Sequence, residues 1–320
     1  MGLNKFTTLG LVFCITVIVI SCAKNPGFNH AALGLNGYKI LVVNSNTTAP
    51  VSYTVTMYDE NGSFLGVVVD YTNIGAPIRG IAILDIFNFV VSLESVDRLD
   101  KVNVFGERSL FASDTNFNGV IFDVEKAPDG SFFVIEGNTI ERFDKNGVRY
   151  NSSATPYINT TTTGLATCTL NTPRKLAILS NGNLAVTNTG NDIVNVYNIS
   201  GTTATCVSIN NGSGAFDPVA MLTHSDGNTY VATNLTANSR VLRFTGAVTG
   251  AAAVVWNTNL SIISTPTAMA EMPDGTILVA SDGTDTIERI STSGQVVTTS
   301  SFIRNAYTGS VTDIVVVGGE

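Results

Sequence analysis

Five charged residues lie at or beside the same position of a repeated strand, and side chains of these types can bind a ligand or take part in catalysis. Aligning the repeats puts Asp123, Lys175 and Asp313 at the same position of successive inner strands, with Arg79 and Arg174 beside that position. Two carboxylates, an ammonium and two guanidinium groups that converge in this way could grip a polar ligand or a carboxylate. They could also neutralise one another, and that is the interpretation we favour.

Three aspartates are weak candidates for binding a cation. Asp192 ends the segment Asn188–Asp192, and Asp282 and Asp285 lie in the segment Ser281–Asp285. Oxygen-bearing side chains alternate in both segments, as in a loop that binds calcium. Neither has the glutamate or the full spacing of an EF-hand loop, and such residues are usual in turns. We therefore expect no metal and no other cofactor, with calcium at these loops as the alternative.

Signatures of common catalytic sites are missing from the sequence. The chain has two histidines, His30 and His224, and it contains no Gly-X-Ser-X-Gly elbow, HExxH helix, paired-cysteine metal set or phosphate loop. Asp123 and Glu125 lie two apart on one strand and therefore on one face. That spacing is compatible with acid–base chemistry, but one such pair is a weak signal. We expect no catalytic residues and a protein that binds rather than catalyses.

A repeated phrase defines the elements that hold these residues. Two strands around an Asp-Gly or Asn-Gly turn precede a polar loop, a third strand and a glycine turn. The phrase occupies 126–147, 179–201, 224–246 and 272–294. The closing glycines recur about every 45 residues, and units of this length with four short β-branched strands are typical of propeller blades. No sustained 3.6-residue apolar stripe occurs, so we predict an all-β fold.

The two ends of the chain predict how the ring closes. The C-terminal TDIVVVGGE resembles only the first strand of a blade, and GYKILVVNS, near residue 40, resembles a second strand that lacks its first. Placing Asp313–Val317 beside Tyr38–Val43 completes one blade from both ends. We therefore predict a six-bladed β-propeller of four-stranded blades, with the first blade closed by the C-terminal strand. Two sandwich domains, the alternative, would not require complementary half-blades.

The phrase MPDGTILVASDGTDTIERISTSG, at 272–294, is similar to the NHL-repeat consensus. Most of residues 38–317 resembles the six-bladed propellers that include NHL-repeat proteins and the senescence-marker-protein/gluconolactonase family. The resemblance implies a fold rather than an activity. Gluconolactonases of that family hold a divalent metal at the channel mouth, through Glu, Asn and Asp at the starts of inner strands. The residues after the blade-opening prolines here are Arg174, Val219 and Thr267. We therefore do not expect lactonase activity, and a metal-dependent lactonase-like hydrolase with a non-standard metal site is the alternative.

Residues 1–21 are predicted to be a lipoprotein signal peptide. Lys5 precedes an apolar stretch that is too short to span a bilayer, and Ser21 stands directly before Cys22. This ending resembles a bacterial lipobox, which implies that Cys22 carries lipid, palmitate included. An ordinary secretory signal that happens to hold a cysteine is the alternative. Two or three acyl chains would anchor the protein stably.

The segment after the lipid site sets the predicted domain organisation and location. Ala23 and Lys24 follow Cys22, with no aspartate next to the lipid site, which favours the outer over the inner membrane of a bacterial cell envelope. Residues 22–37 are predicted to be a flexible tether, and residues 38–320 a single propeller domain, most simply a monomer.

Composition fits an exported protein and narrows its partners. The chain is 44% hydrophobic and 13% charged, its formal net charge is -8, and it has no cluster of Lys and Arg. Nucleic acid is therefore excluded as a partner, and we expect an envelope protein or a glycan, with the membrane reached through the lipid. Cys168 and Cys206 are the cysteines of the predicted domain. A disulfide between them and two separate buried thiols are both open interpretations.

Overall fold

Six antiparallel sheets surround a central channel in the computed structural model of the chain. The structure describes residues 37–48, 50–113, 117, 120–151, 155–159, 162, 164, 168–210, 216–235, 239–246, 248, 254–257, 263–298, 301–304 and 310–318. The predicted signal peptide, Cys22 and the tether before residue 37 lie outside these residues.

Each sheet is one blade, with its first strand at the channel and its last strand at the outside. The first blade consists of β23 (Ser310–Val317), β1 (Lys39–Asn46), β2 (Ser52–Asp59) and β3 (Phe64–Asp70), and the second of β4 (Ile78–Asp85), β5 (Asn88–Leu93), β6 (Arg98–Asn103) and β7 (Arg108–Ser113). The third has β8 (Ile121–Lys126), β9 (Phe132–Glu136) and β10 (Thr139–Phe143), and the fourth has β11 (Pro173–Ile178), β12 (Leu184–Asn188), β13 (Ile193–Ser200) and β14 (Thr203–Asn210). The fifth has β15 (Pro218–Thr223), β16 (Thr229–Thr233), β17 (Arg240–Phe244) and β18 (Val254–Asn257), and the sixth has β19 (Pro266–Glu271), β20 (Ile277–Ser281), β21 (Thr286–Ile290) and β22 (Ile303–Arg304).

Helical structure in the described residues is confined to short 3-10 turns, such as Thr72–Ile74 and Thr189–Asn191. Within the part of the chain that the structure covers, no helix has the length and apolar character needed to span a bilayer.

The predicted closure of the ring is confirmed. The C-terminal strand β23 pairs antiparallel with β1, with Val317 opposite Lys39 and Ile314 opposite Val42. The sheet order β23-β1-β2-β3 therefore completes the first blade from the two ends of the domain. This pairing occupies an edge that would otherwise be open to aggregation.

The third blade departs from the regular pattern at its outer edge. Its sheet has three continuous strands, and an isolated antiparallel bridge between Ile140 and Ile158 lies where the other blades have an outer strand. Cys168 and Cys206 follow nearby and are joined by a disulfide, with their Cα atoms 6.3 Å apart. The bond ties the segment that enters the fourth blade to that blade's outer strand β14.

Apolar residues fill the spaces between neighbouring blades in six clusters, one for each blade-to-blade junction. Most blades are therefore buried on both faces, which explains why the first four residues of Phe132–Glu136 and of Ile277–Ser281 are all apolar. Closing-turn glycines pack at some of these junctions. An added Cβ at Gly62 would lie 2.5 Å from the carbonyl oxygen of Phe302 in the preceding blade.

Candidate functional site: the central channel

The six inner strands run in the same direction along the channel, so their starts meet at one end and their ends at the other. We call the first end the upper mouth and the second the lower end. Arg79, Arg174 and Thr267, at strand starts, line a cavity at the upper mouth. Ile83, Ile178 and other residues towards the strand ends line a cavity at the lower end. These are the upper cavity and the lower cavity below.

Asp123, Lys175 and Asp313 meet between the two cavities and form what we call the channel triad. The Lys175 ammonium lies 3.0 Å from Asp123 Oδ1 and 2.9 Å from Asp313 Oδ2. Lys175 thereby bridges the fourth blade to the third and to the first. The side chain of Lys175 is only 10% exposed, that of Asp123 4% and that of Asp313 12%. The alignment of the repeats placed these three residues at one level, and in the structure they pair with one another.

Backbone donors complete the triad. Asp123 Oδ2 accepts the N–H of Leu176 at 2.8 Å, and Asp313 Oδ2 accepts the N–H of Ile81 at 2.9 Å. Each carboxylate therefore also ties its own blade to the next one. Gly80 occupies the equivalent position in the second blade, where an added Cβ would lie 2.7 Å from Asp123 Oδ1. A larger residue at this position would displace the triad.

Burial and charge act against each other in the triad. Desolvation disfavours the charged form of Lys175, but the Asp123 and Asp313 carboxylates outweigh it and raise the pKa of Lys175 above its ordinary value. Desolvation also raises the pKa of Asp123, and the Lys175 ammonium opposes that rise. Lys175 therefore stays protonated at neutral pH and neutralises one of the two aspartates that it contacts.

The two predicted arginines lie away from the triad, at the upper mouth. Arg79 forms an ion pair with Glu94, donating from Nε at 2.6 Å. Arg174 is exposed and stacks over the Phe122 ring, with its Cζ atom 4.8 Å from the ring centroid. Among the described residues, no carboxylate lies within ion-pair distance of Arg174. Its guanidinium is therefore oriented by an aromatic ring and available to an anionic group.

The upper cavity has a volume of about 350 Å³, and the backbone that borders it is strained. Thr172, Asp217 and Thr265 have φ values of 46°, 35° and 48°, a region that non-glycine residues rarely adopt. Each stands directly before the proline that opens an inner strand. Strain of this kind concentrates at ligand-binding sites. The sequence gives no signal for it, because threonine is not a residue expected in this conformation.

The lower cavity has a volume of about 330 Å³, and Glu125 is the unusual residue in it. Desolvation by the surrounding protein raises the pKa of Glu125 to about 8, and the charges of Asp123 and Asp313 add to the effect. The side chain is therefore mostly a neutral carboxylic acid at pH 7. The sequence placed Glu125 on the same face as Asp123, but it did not show how apolar its surroundings are.

The three aspartates considered for calcium have structural roles in their loops. Asp192 and Asp285 have left-handed φ values of 54° and 51°. Asp192 Oδ1 accepts the N–H of Asp217 at 3.2 Å, so these two acidic residues lie next to each other at the upper mouth. Asp282 accepts hydrogen bonds from the Ser310 hydroxyl and the Val311 N–H at the start of β23. In the described part of the chain, no three His, Cys, Asp or Glu side chains are grouped so that they could hold a metal.

Comparisons with known proteins support the fold and no more. No family model matches the chain, and no curated protein does. A chain of a nidogen/laminin complex has a TM-score of 0.65 at 12% identity, over 88% of this chain and 98% of its own. A protein of unknown function from Bacteroides caccae has a TM-score of 0.61 at 12% identity, over 88% and 99%. A gluconolactonase from Xanthomonas campestris has a TM-score of 0.52 at 14% identity, over 89% and 86%. The chain is a six-bladed β-propeller whose structural neighbours include gluconolactonase-like proteins.

Proposed function

We propose that the protein is a lipid-anchored propeller of the bacterial cell envelope that binds a protein or glycan partner at the upper mouth and catalyses no reaction. The observation that carries this proposal is Arg174. Its guanidinium is exposed, stacked on Phe122 and unpaired within the described residues, at the edge of an open cavity. A partner that offers a carboxylate, a sulfate or an acidic sugar would pair with it.

The surroundings of Arg174 support a rigid binding surface. Arg79 is held by Glu94, and the prolines that open three inner strands restrict the backbone beside the cavity. A surface that is ordered before binding loses little conformational entropy when a partner docks. One structural neighbour belongs to a nidogen/laminin complex, so this fold does occur in protein assemblies.

The hydrolase alternative has less support in the channel. It requires Asp123 or Asp313 to serve a metal or a substrate, and both carboxylates are occupied by Lys175 and by backbone N–H groups. No other arrangement in the described residues favours it.

The anchor is tested by labelling. Cells that express the full chain and are fed a labelled fatty acid should yield labelled protein, and Cys22→Ser should remove the label, because the acceptor thiol is lost. The same variant should pass from the membrane fraction to the soluble fraction, since one or no acyl chain does not hold a protein stably. A Cys22→Ser protein that is still labelled would contradict the lipobox interpretation.

The binding surface is tested by site-specific photocrosslinking in those cells. A photoreactive residue at Val219, beside the upper cavity, should yield a discrete crosslinked product, whereas one at Asn181, in an exposed lower turn, should not. Arg174→Glu should reduce the product at least about tenfold, because it replaces a charge-assisted contact with repulsion. Arg304→Glu, an exposed arginine on an outer strand, is the matched control. Equal products from positions 219 and 181, or no effect of Arg174→Glu, would place the partner elsewhere.

A further inference from the structure

The charged groups around the lower cavity are out of balance. Four carboxyl groups line it, and only two ammonium groups do. They are Asp123, Glu125, Glu271 and Asp313, against Lys126 and Lys175. Asp123 and Asp313 are buried and Glu125 and Glu271 are half-buried, so the excess of carboxyl groups favours a proton or a bound cation as a counter-charge, because unpaired charge is costly away from water.

Most of these groups already have partners. Lys175 lies between Asp123 and Asp313. Glu271 Oε2 accepts the N–H of Ser225 at 2.9 Å, and its Oε1 lies 3.3 Å from His224 Nε2. The Lys126 ammonium donates to the Leu84 carbonyl at 2.6 Å, on the neighbouring inner strand.

Glu125 differs from the others because it has no side-chain partner among the described residues. It accepts a hydrogen bond from the backbone N–H of Ile178, and the charges of the channel triad act on it without contacting it as an ion pair. Because burial raises the pKa of Glu125, a proton balances its carboxyl at neutral pH, and a cation could take the place of that proton.

The wall around Glu125 is apolar, and small side chains leave room beside it. The residues at the equivalent position of the other five inner strands are Ala82, Ala177, Leu222, Ala270 and Val315, all of which line the cavity. Met221 and Met269 add flexible thioether side chains to the same cavity. Three of these five residues are alanine, whose side chain occupies little of the cavity. The cavity therefore places one carboxyl group that has no side-chain partner at the level of a ring of apolar side chains, in a volume at the small end of ligand pockets.

We propose that the lower cavity binds a small primary alkylammonium ion. Its ammonium group lies against the Glu125 carboxylate, and its alkyl chain lies along the ring formed by Ala82, Ala177, Leu222, Ala270 and Val315. The ammonium replaces the proton on Glu125, and the chain buries apolar surface. The site lies on the other side of the channel triad from Arg174, so this proposal is independent of a partner at the upper mouth.

The first test is calorimetric titration of the full chain with n-hexylamine at pH 7, compared with 1-hexanol and hexanoate. We expect hexylammonium to bind at least about tenfold more tightly than hexanol, and hexanoate not to bind, because the carboxyl excess repels an anion. Equal affinities for the amine and the alcohol would overturn the ion pair. Competition by calcium or sodium at millimolar concentration would show that the site takes an inorganic ion instead.

Glu125→Gln should weaken hexylammonium binding at least about tenfold and leave the weak binding of hexanol unchanged. The matched controls are Asp217→Asn and Glu94→Gln, which remove carboxylates from the upper mouth and should not affect amine binding. Loss of binding in Asp217→Asn but not in Glu125→Gln would assign the amine to the upper cavity. Circular dichroism of each variant shows whether it is folded.

The pH dependence of the wild-type protein tests the same contact without a mutation. Because the pKa of Glu125 is raised to about 8, binding of the cation below pH 8 must release a proton. Affinity should therefore rise up to about tenfold between pH 6 and pH 7 and level off above pH 8. It should fall again near pH 10, where an alkylamine loses its charge. Titrations in buffers of different ionisation enthalpy should report about one released proton, and none released would contradict the proposal.

Discussion

Replacing Lys175 with methionine is expected to lower the free energy of unfolding by about 3–5 kcal/mol at pH 7. Methionine keeps the length of the side chain but removes the ammonium that lies 3.0 Å from Asp123 and 2.9 Å from Asp313. Two buried carboxylates would then face each other without a counter-charge. Denaturant unfolding followed by circular dichroism measures the loss. Lys126→Met is the control: the Lys126 ammonium contacts a backbone carbonyl, so its removal should lower the free energy of unfolding far less.

The sign of the pH dependence distinguishes this mechanism from a simple packing defect. In Lys175→Met, the ammonium that lowers the pKa of Asp123 is lost while burial and the Asp313 charge still raise it, so the folded state holds a proton that the unfolded state releases. The variant should therefore be least destabilised near pH 5 and more so as the pH rises towards 8. Adding Asp123→Asn and Asp313→Asn should recover part of the loss, because neutral amides still accept the N–H groups of Leu176 and Ile81. A loss that is independent of pH would contradict the role assigned to charge.

Gly147→Ala is the second change that should damage the fold severely, because two effects act together. Gly147 has a φ of +80°, where an L-residue is strained by about 1–2 kcal/mol. The added methyl group would also overlap the carbonyl oxygen of Phe111, in the outer strand of the preceding blade. Overpacking at a rigid contact adds about 1–3 kcal/mol. We expect thermal and denaturant unfolding to show the sum of both effects.

Gly246→Ala is the matched control for the steric effect. Gly246 closes the equivalent turn two blades later with a φ of +73°, but an added Cβ there would meet nothing within 4 Å. Gly246→Ala should be destabilised by backbone strain alone, so the free energies of unfolding of the two variants should differ by about 1–3 kcal/mol. Equal losses would show that the Phe111 carbonyl can move away and that backbone strain alone decides the cost. Gly294, which packs against the Trp256 carbonyl, should behave like Gly147.

The ring and its closure were predictable because both depend on local patterns. Asp-Gly and Asn-Gly turns mark the hairpins. The incomplete blades at the two ends lack complementary strands, so pairing them with each other completes one blade. The outer edge of the third blade was not predictable, because a single bridge at Ile158 leaves no strand pattern in the sequence. The repeat pattern also gives the position of each residue along its strand, which is why Asp123, Lys175 and Asp313 could be aligned.

The candidate site was less accessible to sequence reasoning, because it depends on distances across the ring. The alignment grouped Arg79 and Arg174 with the triad, but one residue along a strand moves a side chain to another face, and both lie at the upper mouth. The isolation of Glu125 depends on the residues that five other strands contribute at its level. Those residues could be read from the same alignment, taken two positions further along each strand.

The pairing of β23 with β1 has a consequence for how the protein folds during synthesis. The two strands are joined across nearly the whole length of the domain, so the first blade cannot form until the last strand has emerged. Until then the chain is an open arc with an unpaired strand edge, and contacts of such long range form slowly. A chain cut short before β23 would stay in that state. Completion of the first blade is therefore tied to the synthesis of β23.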